Sequence, residues 1–185
     1  MILPENDPDN NRHITVWVPF GSPRFYGPGM SDFSIRAASP ADAPMIVALL
    51  RELAAYEKLL DRFHLTEAAV TRDMLGGACH CDLAWVGNAA CGIATWFWTY
   101  KSFGARRGLF VEDLYVRPDF RGLGLGRSLL AHLAVKAWAA GGFLEWQVLD
   151  WNTPSIEFYK SLGAKPVEEW LNYRLDGEGL ERLAS

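Results

Sequence analysis

Between a strand-like stretch and a helix-like stretch the chain reads Val116-Arg117-Pro118-Asp119-Phe120-Arg121-Gly122-Leu123-Gly124-Leu125-Gly126-Arg127. Arg117-Pro118 ends the strand, because proline removes a ladder donor. Glycines at every second position then let the backbone take positive φ and approach a ligand closely. The free amides of such a turn and of the helix that follows it converge on one spot, an anion site, and Arg121 and Arg127 add positive charge. A tight strand-to-helix corner would show the same glycines, so the neighbouring sequence has to decide. A Walker A loop needs Gly-Lys-Ser/Thr, and here Gly126 is followed by Arg127 and Ser128. A dinucleotide fingerprint Gly-x-Gly-x-x-Gly started at Gly122 puts Arg127 at its sixth position.

The elements around the turn constrain the fold. Phe33 to Arg36 reads as a short strand. Ser39-Pro40-Ala41-Asp42 combines a cap residue, a first-turn proline and an acid three after the cap. Ile46, Leu49, Leu50 and Leu53 follow at helical spacing, which predicts a helix to about Glu57. Thr66 caps a second helix ending near Gly76-Gly77. Asp82 to Val86, a Gly87-Asn88 turn and Cys91 to Tyr100 predict a hairpin. Phe110 to Val116 is the next strand, and a helix from about Gly126 to Ala140 stops at Gly141-Gly142. Phe143 to Leu149 reads as a strand, Pro154 to Leu162 as a helix and Trp170 to Leu175 as a last strand. The order β, α, α, three β, α, β, α, β predicts an α/β protein with a mixed sheet flanked by helices, not a strictly alternating doubly wound fold. Residues 30–185 suit one domain, given a length of 185 residues. Residues 1–29 hold five prolines and three glycines, with only Ile14 to Val18 strand-like. We expect an extension that is poorly ordered or lies upstream of a start at Met30. It has neither the basic start nor the apolar run of a signal peptide.

A net charge of −4 argues against a general nucleic-acid binder. No apolar run approaches the roughly 20 residues that cross a bilayer, so neither nucleic acid nor membrane is an expected partner. Three cysteines, Cys79, Cys81 and Cys91, are too few for a disulfide scaffold. They read as reduced thiols, which suits a cytoplasmic protein; no metal site is expected.

Arg121-Gly122-Leu123-Gly124-Leu125-Gly126 matches Arg/Gln-x-x-Gly-x-Gly/Ala, and about 26 residues further on stands Asn152-Thr153-Pro154-Ser155-Ile156-Glu157-Phe158-Tyr159-Lys160-Ser161-Leu162-Gly163. The pair resembles the two signatures of the GCN5-related N-acetyltransferase (GNAT) superfamily. The resemblance covers about Phe33 to Ala184. It implies a central, mostly antiparallel sheet that splays open at the acetyl-CoA site. The pyrophosphate would lie on the amides of Gly122, Leu123, Gly124, Leu125, Gly126 and Arg127. The pantetheine arm would pair along Leu114, Tyr115 and Val116, and Asn152 and Ser155 would reach its side. Leu50 to Leu59, Glu112-Asp113-Leu114-Tyr115-Val116 and Leu149-Asp150-Trp151-Asn152 resemble the diamine acetyltransferase branch, which includes spermidine/spermine and thialysine acetyltransferases. That likeness implies an amine acceptor site with Tyr56, Glu57, Glu112 and Glu168 or Glu169, a tyrosine acid at Tyr159, and a homodimer.

An alkyl amine has a pKa near 10.4, so only roughly one molecule in a few thousand is a nucleophile at pH 7. Recruiting that form costs about 4 to 5 kcal/mol. Protonating the leaving thiolate, with a pKa near 8.5, is favourable by about 2 kcal/mol. The harder step is stripping the amine. A carboxylate beside the attacking amine would hold it as ammonium. We therefore expect acids to hold a distal cation while a water relays the proton to Glu112. Tyr159 lies one turn from Ser155 and would protonate the thiolate. Strand alternation predicts that Glu112 and Asp113 point to opposite faces. Trp96, Phe97, Trp98 and Tyr100 would wall the amine site or serve core and dimer packing, and no histidine is assigned a catalytic role. The expected activity is acetyl transfer from acetyl-CoA to a small cationic amine: a diamine, a polyamine or a lysine-like amino acid. Protein or peptide N-acetylation, and a non-catalytic CoA-sensing module, are the alternatives.

Overall fold

The computed structural model describes residues 33–168 and 171–185. The readings for residues 1–29, and those for Glu169 and Trp170, lie outside the described residues. The chain divides into two units, the first ending at Trp146 and the second running from Gln147 to Ser185.

In the first unit, strand β1 (Phe33–Ala37) leads through a short 3-10 turn (Pro40–Asp42) into helix α1 (Ala43–Tyr56). The entry is fixed by charge. Ser39 donates both its amide and its hydroxyl to Asp42 Oδ2, each at 2.8 Å. The Arg36 guanidinium takes both Asp42 oxygens at 2.8 Å. The Arg36 bonds hold the Asp42 carboxyl well below the usual carboxylate range. Thr66 caps helix α2 (Glu67–Ala69), which continues as a wider π-type segment (Val70–Ala78), so the predicted second helix is present but irregular.

Strands β2 (His80–Val86), β3 (Ala89–Lys101) and β4 (Arg106–Val116) form an antiparallel meander, and helix α3 (Leu125–Ala139) returns the chain to β5 (Phe143–Trp146). The sheet order is β1-β2-β3-β4-β5, antiparallel except for β4 with β5. The mixed, mostly antiparallel sheet is therefore as expected. Each face is covered by apolar side chains. Ile46, Leu49, Leu50 and Leu53 of α1 pack with Val70, Leu83 and Ile93 on one face. Leu125, Leu129, Leu130 and Leu133 of α3 are buried too. Burial of side chains this size stabilises by about 1.5–3 kcal/mol each.

β5 pairs only from Phe143 to Trp146, not to Leu149. Its last partner on β4 is Val111, so the sheet opens where β4 carries on for five more residues, Glu112 to Val116. A strand ends where its ladder ends.

In the second unit, the predicted helix is present as α4 (Thr153–Ser161), starting behind Asn152, one residue before Pro154. The expected last strand is not formed among the described residues. Leu171, Tyr173 and Leu175 alternate as a strand would, but are 80%, 91% and 51% exposed and join no ladder. Alternation supplies a face and not a partner. Helix α5 (Gly177–Ala184) follows. Gly177 and Gly179, poor helix formers, hid it from sequence reading.

Candidate active site

The glycine turn is built as an open cradle. Gly122 and Gly124 have φ of 76° and 80°, a region that side chains disfavour. Gly124 is the cap residue of α3. An added Cβ at either glycine would meet nothing within 4 Å. The space beside the backbone is therefore open, and the glycines are there for φ and approach. The first-turn amides of α3, from Leu125 to Arg127, have no acceptor within the helix. Gly122 and Leu123 are exposed, whereas the Leu125 side chain is buried, so Leu125 offers only its backbone.

The base of the cradle is pinned. Arg117 donates Nε to both oxygens of Glu52 (3.1 and 3.0 Å), Nη2 to Glu52 Oε1 (2.7 Å) and Nη1 to the Ala90 carbonyl (2.9 Å). Its amide donates to the Cys91 carbonyl at 2.9 Å. Since backbone groups alternate in direction along a strand, Leu114 and Val116 turn theirs to the open side of β4. Tyr115 turns away. Its side chain is buried in the α1 core, where burial, with Glu52 nearby, pushes its phenol up. Arg121, expected to add charge at the cradle, also has partners within the protein. Its Nε donates to the Val116 carbonyl at 2.9 Å, and its guanidinium lies 5.1 Å from the Tyr56 ring centre and 5.7 Å from that of Tyr115. Arg127 is exposed at the helix start.

The second feature is a bulge. On β3, Thr95 pairs with Asp113 and Trp96 with Val111, leaving Glu112 as the extra residue. The expected simple alternation of Glu112 and Asp113 is thereby broken. Paired residues share a face, so Leu109 and Val111 lie with Trp98 and Trp96 on the α3 side. Past the bulge, Asp113 and Tyr115 lie with Thr95 and Ile93 on the α1 side. Glu112 is exposed at the switch, where the open edge begins. Bulges characteristically re-aim side chains beside active sites.

Three carboxylates gather there. Burial and then the Asp113 charge raise the pKa of Glu57, at the end of α1, and of Glu112. Asp113 is raised by burial, against which the Thr95 hydroxyl acts. The Cys79 thiol is pushed up to about 11 by burial and by Asp113 and Glu112. Glu57 and Glu112 thus each feel the charge of Asp113, a third acid that links the two expected ones. Its place depends on cross-strand register, which no local motif encodes. Tyr56 is near the acid group in sequence and stacks with Arg121.

The aromatic set divides. Trp96 is buried on the α3 side, its Nε1 donating to Asp82 at 2.7 Å. Phe97 stacks with Phe110 on the other face, and Tyr100 is exposed. His132, set aside from sequence, has Nε2 at 3.3 Å from Asp82 Oδ1. In the second unit, Asn152 is buried and accepts the Ser155 amide at 3.4 Å, so it caps α4. Ser155 and Tyr159 lie one turn apart on that helix.

A strand, a glycine cradle at a helix start and an open strand edge form a site suited to an anion, and comparison with known proteins gives the family. The family model "Acetyltransferase (GNAT) family" matches residues 46–164. The chain belongs to the GNAT acetyltransferase family. It is 32% identical over 169 residues to thialysine N-epsilon-acetyltransferase of Sus scrofa, covering 84% of this chain and 99% of that one. It is 34% identical over 168 residues to human spermidine/spermine N(1)-acetyltransferase-like protein 1, covering 84% of this chain and 24% of the relative. Both fit the diamine branch. An integron cassette protein from the mobile metagenome of V. cholerae superposes with a TM-score of 0.70 at 27% identity, covering 84% and 99% of the two chains. The chain is an N-acetyltransferase, and its family uses acetyl-CoA as co-substrate.

Proposed function

We propose that this enzyme acetylates a primary amine of a small cationic substrate (a diamine, a polyamine or a lysine-like amino acid) by direct attack in a ternary complex. The observation that carries the proposal is the gathering of Glu57, Glu112 and Asp113 at the β4 bulge, beside the open edge of the strand. Carboxylates whose pKa is raised by burial and mutual repulsion are stabilised by an incoming cation. The relatives' names, thialysine and spermidine/spermine, point to the same chemistry.

The cradle fits the co-substrate on the geometry of this chain. Two positive-φ glycines face open space at a helix N-terminus, where backbone amides suit a pyrophosphate. The amides of Gly122 to Arg127 would hold it, and the outward groups of Leu114 and Val116 would pair with the pantetheine amides. With Arg121 on the Val116 carbonyl, that pairing falls to Leu114 and the Val116 amide. When bound, acetyl-CoA supplies an activated thioester carbonyl.

The acids divide the work. Glu57 and Asp113 hold the distal cation. Glu112, exposed at the bulge with its pKa raised, takes the proton of the attacking amine through water. A base whose pKa is raised toward that of the amine loses less driving force in the transfer. Tyr159 is proposed as the acid for the departing thiolate, and Asn152 and Ser155 as neighbours of the pantetheine arm, on the strength of the family signature. Glu169 is proposed as a further amine ligand on the same ground. A homodimer and a cytoplasmic location are proposed from the resemblance and from three free thiols.

The test is a panel of diamines, polyamines, basic amino acids and peptides with acetyl-CoA, read by release of free thiol. Turnover of small dications supports the proposal. Turnover of peptides alone would contradict it. Tyr159→Phe should lower kcat by ~10²-fold; wild-type turnover removes that role.

A further inference from the structure

Thr95 is a polar residue in an apolar place. It is 1% exposed on the α1 side of β3, in line with Ile93 and Phe97. A buried hydroxyl needs partners, and both of its functions are met by one residue. Thr95 Oγ1 donates to Asp113 Oδ2, and the Asp113 amide donates back to Thr95 Oγ1 at 3.1 Å. The clasp sits at the bulge that displaces Glu112, so it ties the Asp113 carboxylate and the strand register at one point.

Resting on the acceptor site proposed above, we infer that Thr95 is a positioning residue of that site, holding Asp113 ionised and aimed so that the pocket keeps its full negative charge. Among the described residues, the titratable groups facing Asp113 are Glu57 from α1, Glu112 on β4, and Cys79 and Cys81 beside and on β2. All are acids or neutral thiols. The Glu57 and Glu112 carboxylates oppose a further negative charge beside them, and burial adds to the difficulty. The Thr95 hydroxyl acts the other way, because a bond donated to a carboxylate favours its ionised form. Without it Asp113 takes up a proton at higher pH. A dication then meets a weaker field over more of the pH range.

The experiment is the pH profile of kcat/KM for a short diamine in wild type, Thr95→Val and Thr95→Ser, with the acetyl-CoA KM measured alongside. Thr95→Val should move the acid limb up by about one pH unit. It should raise the diamine KM several-fold below that limb and leave the acetyl-CoA KM as it was. Thr95→Ser, which keeps the hydroxyl, should return the limb. Should the valine variant not fold, Thr95→Ala carries the same test. A valine profile that superposes on wild type, or a serine variant shifted as far as valine, overturns the inference. A lower melting temperature with an unmoved limb marks a structural role and overturns it as well. Glu57→Gln and Glu112→Gln separate the two levels. If both raise the diamine KM while Thr95→Val moves nothing, the inference alone falls. If neither does, the acceptor site falls and takes the inference with it.

Discussion

Two aspartates, one buried and one half-buried, lie on opposite faces of the same sheet and live in opposite surroundings. Asp82, on the α3 face, is 1% exposed and accepts from Trp96 Nε1 at 2.7 Å. His132 Nε2 lies at 3.3 Å and Lys136 Nζ at 3.9 Å from it. Burial opposes its charge, but His132, Lys136 and Trp96 together bring its pKa below the usual value. Asp113, on the α1 face, has one hydroxyl donor and two carboxylates for company, and its pKa is raised. The first carboxylate is satisfied by the protein itself and ties β2 and β3 to α3. The second has no cation among the described groups that set its pKa, and the acceptor site proposed above gives it one from the substrate. What separates the two acids is therefore the company each keeps more than burial itself, since the less exposed one has the lowered pKa.

The strongest way to break this contrast is Asp82→Ala. It leaves Trp96 Nε1 and the His132 and Lys136 side chains facing an empty place, which should cost about 3–5 kcal/mol. A shift in the denaturation midpoint with the diamine KM of the folded enzyme unchanged is the expected outcome. Glu112→Gln and Glu57→Gln come next. Each should raise the diamine KM or lower kcat/KM by ~10- to 100-fold with little change in melting temperature, as steady-state kinetics would show. Asp113→Asn should weaken diamine binding several-fold, yet leave stability at neutral pH equal or higher, since a poorly solvated charge is gone.

The smallest effect is in the pH dependence of stability, where the two aspartates carry opposite signs. Asp82 has a lowered folded pKa, so its contribution is present above the ordinary carboxylate value of about 3.9 and is lost as pH falls through the folded value. Asp113 has a raised one, so its contribution is present below about 3.9 and is lost as pH rises through the folded value. Asp82→Ala should therefore flatten the acid side of the stability curve, and Asp113→Asn the side toward neutrality. Melting temperatures collected across pH for both variants check the signs.

Much of this was legible in the sequence because it is local. The cap at Ser39, the Gly87-Asn88 turn and the 122–126 glycines each encode a backbone conformation in a few adjacent residues. The Arg36–Asp42 and Arg117–Glu52 ties, the Glu112 bulge and the Asp82 cluster were not. The first two join a strand or its end to a turn or helix. The last two depend on which strand residue faces which, and that is settled by packing across the whole sheet. The contacts of Arg121 were hidden for a related reason. Its charge suggests a phosphate, and in the fold it also meets the Val116 carbonyl and two tyrosine rings. At the far end, Leu171, Tyr173 and Leu175 have strand periodicity with no ladder in this structure, and a pattern cannot announce that.

The central claim is that the acids at the bulge select an acceptor bearing a second positive charge. Comparing kcat/KM for 1,3-diaminopropane and propylamine, with saturating acetyl-CoA and thiol release as the readout, tests it most directly. The account predicts a preference for the diamine of at least ~10-fold, the equivalent of about 1.4 kcal/mol of extra transition-state binding. Equal efficiency with the two amines would contradict it.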